Sequence, residues 1–241
     1  MAERRSRRFS VTATRRRSVA ELPAEAGSQI LLIGLGRFGS ALAQELVALG
    51  FEVLGVDADG RIVQDHAELL THVVQADTTD MAALRQLGAG DFPSAVVGIG
   101  TNVEASILTT AALADLGVPN VWAKAVTDSH GRILERVGAD HVVFPEHDMG
   151  QRVAHLVSGR VLDWFELDEN FAMVETVVPR EFVGTTLGES GLRARFGLTV
   201  VCVKPAGQGF TYATAETRLA EGDVLVAAGS PDQAEKFAHM S

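Results

Sequence analysis

The segment Gly34-Leu35-Gly36-Arg37-Phe38-Gly39 lies between an apolar run, Ile30-Leu31-Leu32-Ile33, and a stretch with helical apolar spacing over residues 38–49. A G-x-G-x-x-G loop at a strand-to-helix junction opens a βαβ unit. Its first glycine permits the tight turn, its second lets the backbone approach a diphosphate, and its third lets the helix pack close against the strand. The alternation then continues. Strand-like runs fall at residues 51–56, 72–75, 94–99, 121–125 and 141–144, and helical spacing falls at 61–70, 81–87, 103–116 and 129–137. Six strands separated by helices imply a parallel sheet covered on both faces, because right-handed crossovers place helices on each side. The predicted class is α/β, with a Rossmann-type doubly wound parallel sheet.

The texture changes after residue 144. Residues 145–159 read as a linking helix. Beyond it, strands are predicted at 171–178, 198–204, 210–212 and 223–228, a short helix at 187–195 and a closing helix at 230–238. This makes a small C-terminal α+β domain, too short for a deep catalytic cleft and suited to sensing or dimerisation. The chain therefore divides into a basic tail (1–28), a nucleotide-binding domain (29–146), a linking helix (147–162) and a C-terminal domain (163–241).

Charge separates the tail from the rest. Residues 1–20 hold seven of the 21 basic residues and one of the 31 acidic ones, so the remaining chain carries about −16. An acidic body disfavours broad nucleic-acid binding, and no nucleic-acid partner is expected. Residues 1–28 show no apolar periodicity and no apolar stretch of a secretory signal, and read as disordered. Three roles are open to them: a solvated tail, an electrostatic anchor to anionic lipid or an acidic partner, and a phosphorylation switch at Ser10 or Ser18. No apolar run approaches the roughly 18 residues that span a bilayer. A single cysteine, Cys202, excludes a disulfide framework and fits a reducing cytosol.

Several side chains converge on the edge that the glycine loop defines. Asp57 closes the second strand 18 residues after Gly39, within reach of ribose hydroxyls, and its acid disfavours a 2′-phosphate; a helix cap is the alternative role. Asp77-Thr78 follows the third strand, where Asp77 reads equally as a ligand contact or as the N-cap of the next helix. Arg37, inside the loop, can grip a terminal phosphate bidentately, which leans towards a mononucleotide polyphosphate. Lys124 ends the fifth strand and Glu146 follows the sixth. Lys124 can neutralise phosphate and Glu146 can hold a divalent cation, and each can equally be a surface charge.

Catalytic apparatus is not evident. The only tyrosine, Tyr212, lies outside the nucleotide domain, and none of the seven histidines falls in a recognisable dyad; His147 and His155 read as packing or surface residues. There is no P-loop lysine and no G-x-S-x-G elbow. A binding site without bond-making groups suits a ligand sensor. An NAD-dependent oxidoreductase and a nucleotide sensor acting on DNA are the competing readings.

Taken together, Gly34–Gly39, Val56-Asp57, Gln75-Ala76-Asp77-Thr78-Thr79-Asp80, Ala123-Lys124-Ala125 and Val143-Phe144-Pro145-Glu146 resemble the N-terminal lobe of RCK domains, regulators of potassium conductance. The likeness is closest to the cytosolic Ktr/Trk-type subunits of bacterial potassium uptake systems. Val183-Gly184-Thr185-Thr186-Leu187, Leu192-Arg193-Ala194-Arg195-Phe196-Gly197, Thr217-Arg218-Leu219 and Glu221-Gly222-Asp223-Val224-Leu225 resemble the C-terminal lobe. The resemblance implies homodimers assembled into a ring, expected to be an octamer, docked on a membrane-embedded potassium-translocating subunit at the inner face of the cell membrane. It implies competition between ATP and ADP, with NAD(H) in some members. By position, Gly34, Leu35, Gly36, Phe38 and Gly39 would form the cofactor loop. Arg37 and Lys124 would meet phosphates, Asp57 the ribose, and Asp77, Thr78, Ile99 and Gly100 the adenosine side. Glu146 would hold Mg²⁺ or Ca²⁺ near the dimer interface. In some members the C-lobe binds cyclic di-AMP, which here would meet Arg193, Thr199 and Val200.

Overall fold

A computed structural model describes residues 29–159, 161–168, 170–238 and 240. The three roles considered for residues 1–28 lie outside the described residues. Two compact units divide between Glu146 and His147.

The first unit runs β1 (Gln29–Ile33), α1 (Arg37–Ala48), β2 (Glu52–Asp57), α2 (Gly60–His66), β3 (His72–Gln75), α3 (Met81–Gln86), β4 (Ser94–Val97), α4 (Val103–Asp115), β5 (Val121–Lys124), α5 (Asp128–Arg136) and β6 (His141–Val143). Its six strands are parallel, in the order β3-β2-β1-β4-β5-β6. The period of two along β1 explains how both faces are covered. Leu31 and Ile33 join one core with Leu84, Leu113 and Leu134, while Leu32 joins the other with Val53, Leu35 and Ala43. Each such side chain contributes roughly 1.5–3 kcal/mol when taken from water. The chain leaves β1 in one direction to β2 and β3 and in the other to β4, so a crevice opens at the carboxyl ends between β1 and β4.

The glycine loop is built by close approach. Gly34 has φ +88°, a left-handed value that L side chains rarely adopt. A Cβ on Gly39 would lie 1.9 Å from the Gly34 carbonyl oxygen, so α1 reaches this strand only because residue 39 has no side chain.

α6 (Pro145–Val157) begins with the last two residues of the first unit, and the second unit continues with β7 (Asp163–Asp168), β8 (Phe171–Val177), α7 (Leu187–Ser190), α8 (Leu192–Phe196), β9 (Thr199–Lys204), β10 (Thr211–Tyr212), β11 (Val224–Gly229) and α9 (Pro231–Ala238). The strands form an antiparallel sheet, β10-β9-β11-β8-β7. Its core gathers Trp164, Val174, Phe182, Leu198, Leu225 and Phe237. Arg152 on α6 grips Asp163 on β7 bidentately, Nε to Oδ1 at 2.8 Å and Nη2 to Oδ2 at 2.5 Å. His155 stacks on Trp164 with ring centroids 4.0 Å apart, a packing role.

The structure differs from the sequence reading at three places. β7 was not expected: it is an edge strand of the sheet, and apart from Trp164 its residues are largely exposed, which hides the apolar pattern. The helix predicted over 187–195 is two short helices, broken at Gly191, which takes φ +62°. The helix predicted over 61–70 stops at His66, and Leu70 turns into the core.

Two outcomes follow. Gly39→Ala forces the Gly34 carbonyl to move and should destabilise the chain by about 1–3 kcal/mol in chemical denaturation. The Arg152 hydrogen bonds hold the Asp163 carboxyl below its usual value. A depressed carboxylate stabilises above its unfolded value, near pH 3.9, and that contribution is lost as pH falls through the folded value. Asp163→Asn should therefore lower the melting temperature by about 2–4 °C at pH 7, with the gap closing below about pH 4.

Candidate functional site

The crevice is a cavity of about 520 Å³ at the carboxyl edge of the first sheet. Gly34, Gly36, Arg37, Phe38, Asp57, Asp77, Thr78, Ile99, Gly100, Lys124 and Glu146 all line it, so one hollow collects residues at or just after the carboxyl ends of all six strands. Its size falls within the range of about 300–1,000 Å³ usual for small-molecule sites. Leu35 and Gly39, expected in the cofactor loop, do not line it. Leu35 is buried in the core and Gly39 is pressed against Gly34, so both shape the loop from behind.

Asp57 fixes the loop's position. Its Oδ2 accepts the Leu35 N–H at 2.7 Å and its Oδ1 accepts the Asp59 N–H at 2.9 Å. The carboxylate thus bridges the glycine turn and the start of the next loop, and each oxygen keeps a lone pair for a ligand hydroxyl. It is not the cap of α2; that role belongs to Asp59, whose side chain accepts from Arg61 N–H. Gly36 is the N-cap of α1 and brings no side-chain cap, so the first N–H groups of that helix face the hollow without a side-chain acceptor.

Asp77 does not cap the following helix, contrary to one of its two expected roles. Asp80 caps α3 by accepting from Ala82 N–H at 2.8 Å. Asp77 instead accepts from the Thr79 hydroxyl at 2.7 Å and the Thr79 N–H at 3.0 Å, which hold its carboxyl below the usual carboxylate range. Thr78 is buried, and its hydroxyl meets that of Thr109 on α4 at 2.9 Å.

Lys124 is not a surface charge, one of its two expected roles: the residue is 7% exposed. Its ammonium pairs with Glu146 and lies 5.6 Å from the centre of the Phe38 ring. The Lys124 hydrogen bond, together with the charges of Lys124 and Arg37, holds the Glu146 carboxyl below its usual value. Glu146 itself is open to water, with 64% of its side chain exposed. Among the described residues, no three His, Cys, Asp or Glu side chains gather as a metal cage. In the single chain the Glu146 carboxylate is paired with Lys124.

Sequence reasoning passed over Asp59 and Asn102, which also line the hollow. Both are N-caps, and Asn102 accepts from Ala105 N–H at 3.0 Å. A short polar residue just before a helical apolar run was the signal. In the second unit, Arg193, Thr199 and Val200 line one separate hollow of about 280 Å³ with Leu187 and Ala213.

Residues 30–145 match the TrkA-N domain and residues 172–240 the TrkA-C domain. The chain is 38% identical over 210 residues to Ktr system potassium uptake protein C of Bacillus subtilis, covering 87% of this chain and 95% of that one. It is 35% identical over 206 residues to Ktr system potassium uptake protein A of Vibrio alginolyticus, covering 85% and 94%. The fold resembles that of the GsuK RCK domain, with a TM-score of 0.62 at 23% identity over 91% of this chain and 48% of that one. The GsuK channel bound to NAD gives 0.61 at 24% identity, over 95% and 42%. The chain thus spans less than half the length of those solved chains. No helix among the described residues is long and apolar enough to cross a membrane. The chain belongs to the family of Ktr and Trk potassium uptake proteins, built as a TrkA-N domain followed by a TrkA-C domain.

Proposed function

We propose that this chain is a nucleotide-gated regulatory subunit of a potassium uptake transporter, with ATP and ADP competing for the hollow at the sheet's carboxyl edge. One observation carries the reading: in a chain of this family, a helix N-terminus without a side-chain cap, a carboxylate at the end of β2 and two cations line the same cavity. The α1 N-terminus and Lys124 would take phosphates, Asp57 the ribose hydroxyls, and the Asp77–Thr78 and Ile99–Gly100 segments the adenosine. Arg37, exposed at the first position of α1, would meet the terminal phosphate. NAD(H) is the second occupant this geometry supports, since Asp57 serves a ribose in either ligand.

The subunit works by binding and performs no chemistry. It forms homodimers that assemble into a ring, taken as an octamer, in the cytoplasm against a membrane-embedded potassium-translocating partner. ATP favours the conducting state and ADP the resting one. Such a ring shifts the gate only by the difference in ligand affinity between its states, typically about 1–3 kcal/mol per site. Mg²⁺ or Ca²⁺ at Glu146 would need further oxygen ligands from bound phosphate or a second copy. In the C-terminal unit, cyclic di-AMP would use Arg193, Thr199 and Val200.

Competition with a fluorescent adenine nucleotide tests the reading. ATP and ADP should displace the probe, and no NAD reduction should accompany incubation with metabolites. Turnover would favour the oxidoreductase reading instead. Arg37→Ala should weaken ATP by about tenfold and ADP by less, as the loss of a charged hydrogen bond to the last phosphate requires. Gly36→Ala separates site from scaffold. A Cβ there meets nothing within 4 Å, so stability should fall by at most about 1 kcal/mol, while nucleotide affinity should drop about tenfold or more as the methyl occupies the phosphate approach.

A further inference from the structure

The contact between Lys124 and Glu146 has the form of an internal competitor. Lys124 is a cation with little access to water, set in the wall of the hollow beside Phe38. A buried ammonium needs an anion beside it, because desolvation of an unpaired charge is expensive. In the structure that anion is Glu146, the second residue of α6, whose own side chain is largely in water. The two members are unequal: Glu146 can swing away at little cost, whereas Lys124 cannot stay behind without a replacement. Arg37 adds positive potential at the same carboxylate.

We propose that Glu146 is a latch on the phosphate site: its carboxylate holds Lys124 until a ligand phosphate takes that place, so that phosphate occupancy releases the first turn of α6. The inference rests on the nucleotide reading of the hollow and deepens it. An ammonium has three donors and could touch both anions. With no divalent cation between them, a carboxylate and a phosphate side by side repel, however, so the two compete. Adenosine, with no phosphate, does not enter this competition.

The test uses the full chain in a chelator, so that divalent cations play no part, and compares ADP with adenosine. Glu146→Gln removes the competing charge and should raise the ADP-to-adenosine affinity ratio about tenfold, the scale of one partly screened charge pair. Glu146→Ala gives the same readout should the Gln chain fold poorly. In the wild-type chain, ADP but not adenosine should speed amide hydrogen exchange in the first turn of α6. A ratio that stays level or falls, with both ligands still bound, overturns the latch alone. A wild-type chain that binds neither ADP nor adenosine overturns the nucleotide reading and the latch with it.

Discussion

The approach of α1 to the turn after β1 sets the position of everything else in the first unit. Gly39 touches the Gly34 carbonyl where no side chain could be accommodated. That contact fixes where α1 starts and therefore where its first N–H groups point. Asp57 completes the arrangement from the other side by accepting the Leu35 N–H, so the loop is held by one steric and one electrostatic constraint. Neither depends on a ligand. The site is pre-organised by the same contacts that fold the domain, and this limits the ordering a ligand must bring about on arrival.

Electrostatics then decides which ligand suits the hollow. The body of the chain is acidic, yet the crevice wall carries a buried ammonium, Lys124, and an exposed guanidinium, Arg37, together with the carboxylates of Asp57, Asp77 and Glu146. Glu146 answers Lys124 and Asp57 holds the glycine turn, so a molecule that brings both phosphates and hydroxyl donors finds partners for each. On the latch proposed above, the Lys124–Glu146 pair would add regulation to recognition, because an ion pair with one buried and one exposed member can be exchanged at the exposed side.

Much of this was legible in the residues. The glycine spacing, the continuous apolar run Ile30-Leu31-Leu32-Ile33 and the acid at the end of β2 are local signals, and local chemistry decides them. What escaped the sequence depends on neighbours far along the chain. Lys124 reads as an ordinary strand-end charge until β6 brings Glu146 beside it. Asp77 and Asp80 are both plausible caps, and only the actual start of α3 chooses Asp80. β7 was hidden because an edge strand need not alternate cleanly, and Gly191 split a helix whose apolar spacing looked continuous. In the second unit, the hollow that unites Arg193, Thr199 and Val200 exists because α8 and β9 meet across Gly197, a turn with φ +73°.

If the crevice at the carboxyl edge of the parallel sheet holds an adenosine polyphosphate within an oligomer, native mass spectrometry of the full chain, as purified and after addition of ATP or ADP, should show an even-numbered assembly carrying up to one adenine nucleotide per chain. A monomer whose mass neither nucleotide changes would overturn the proposal.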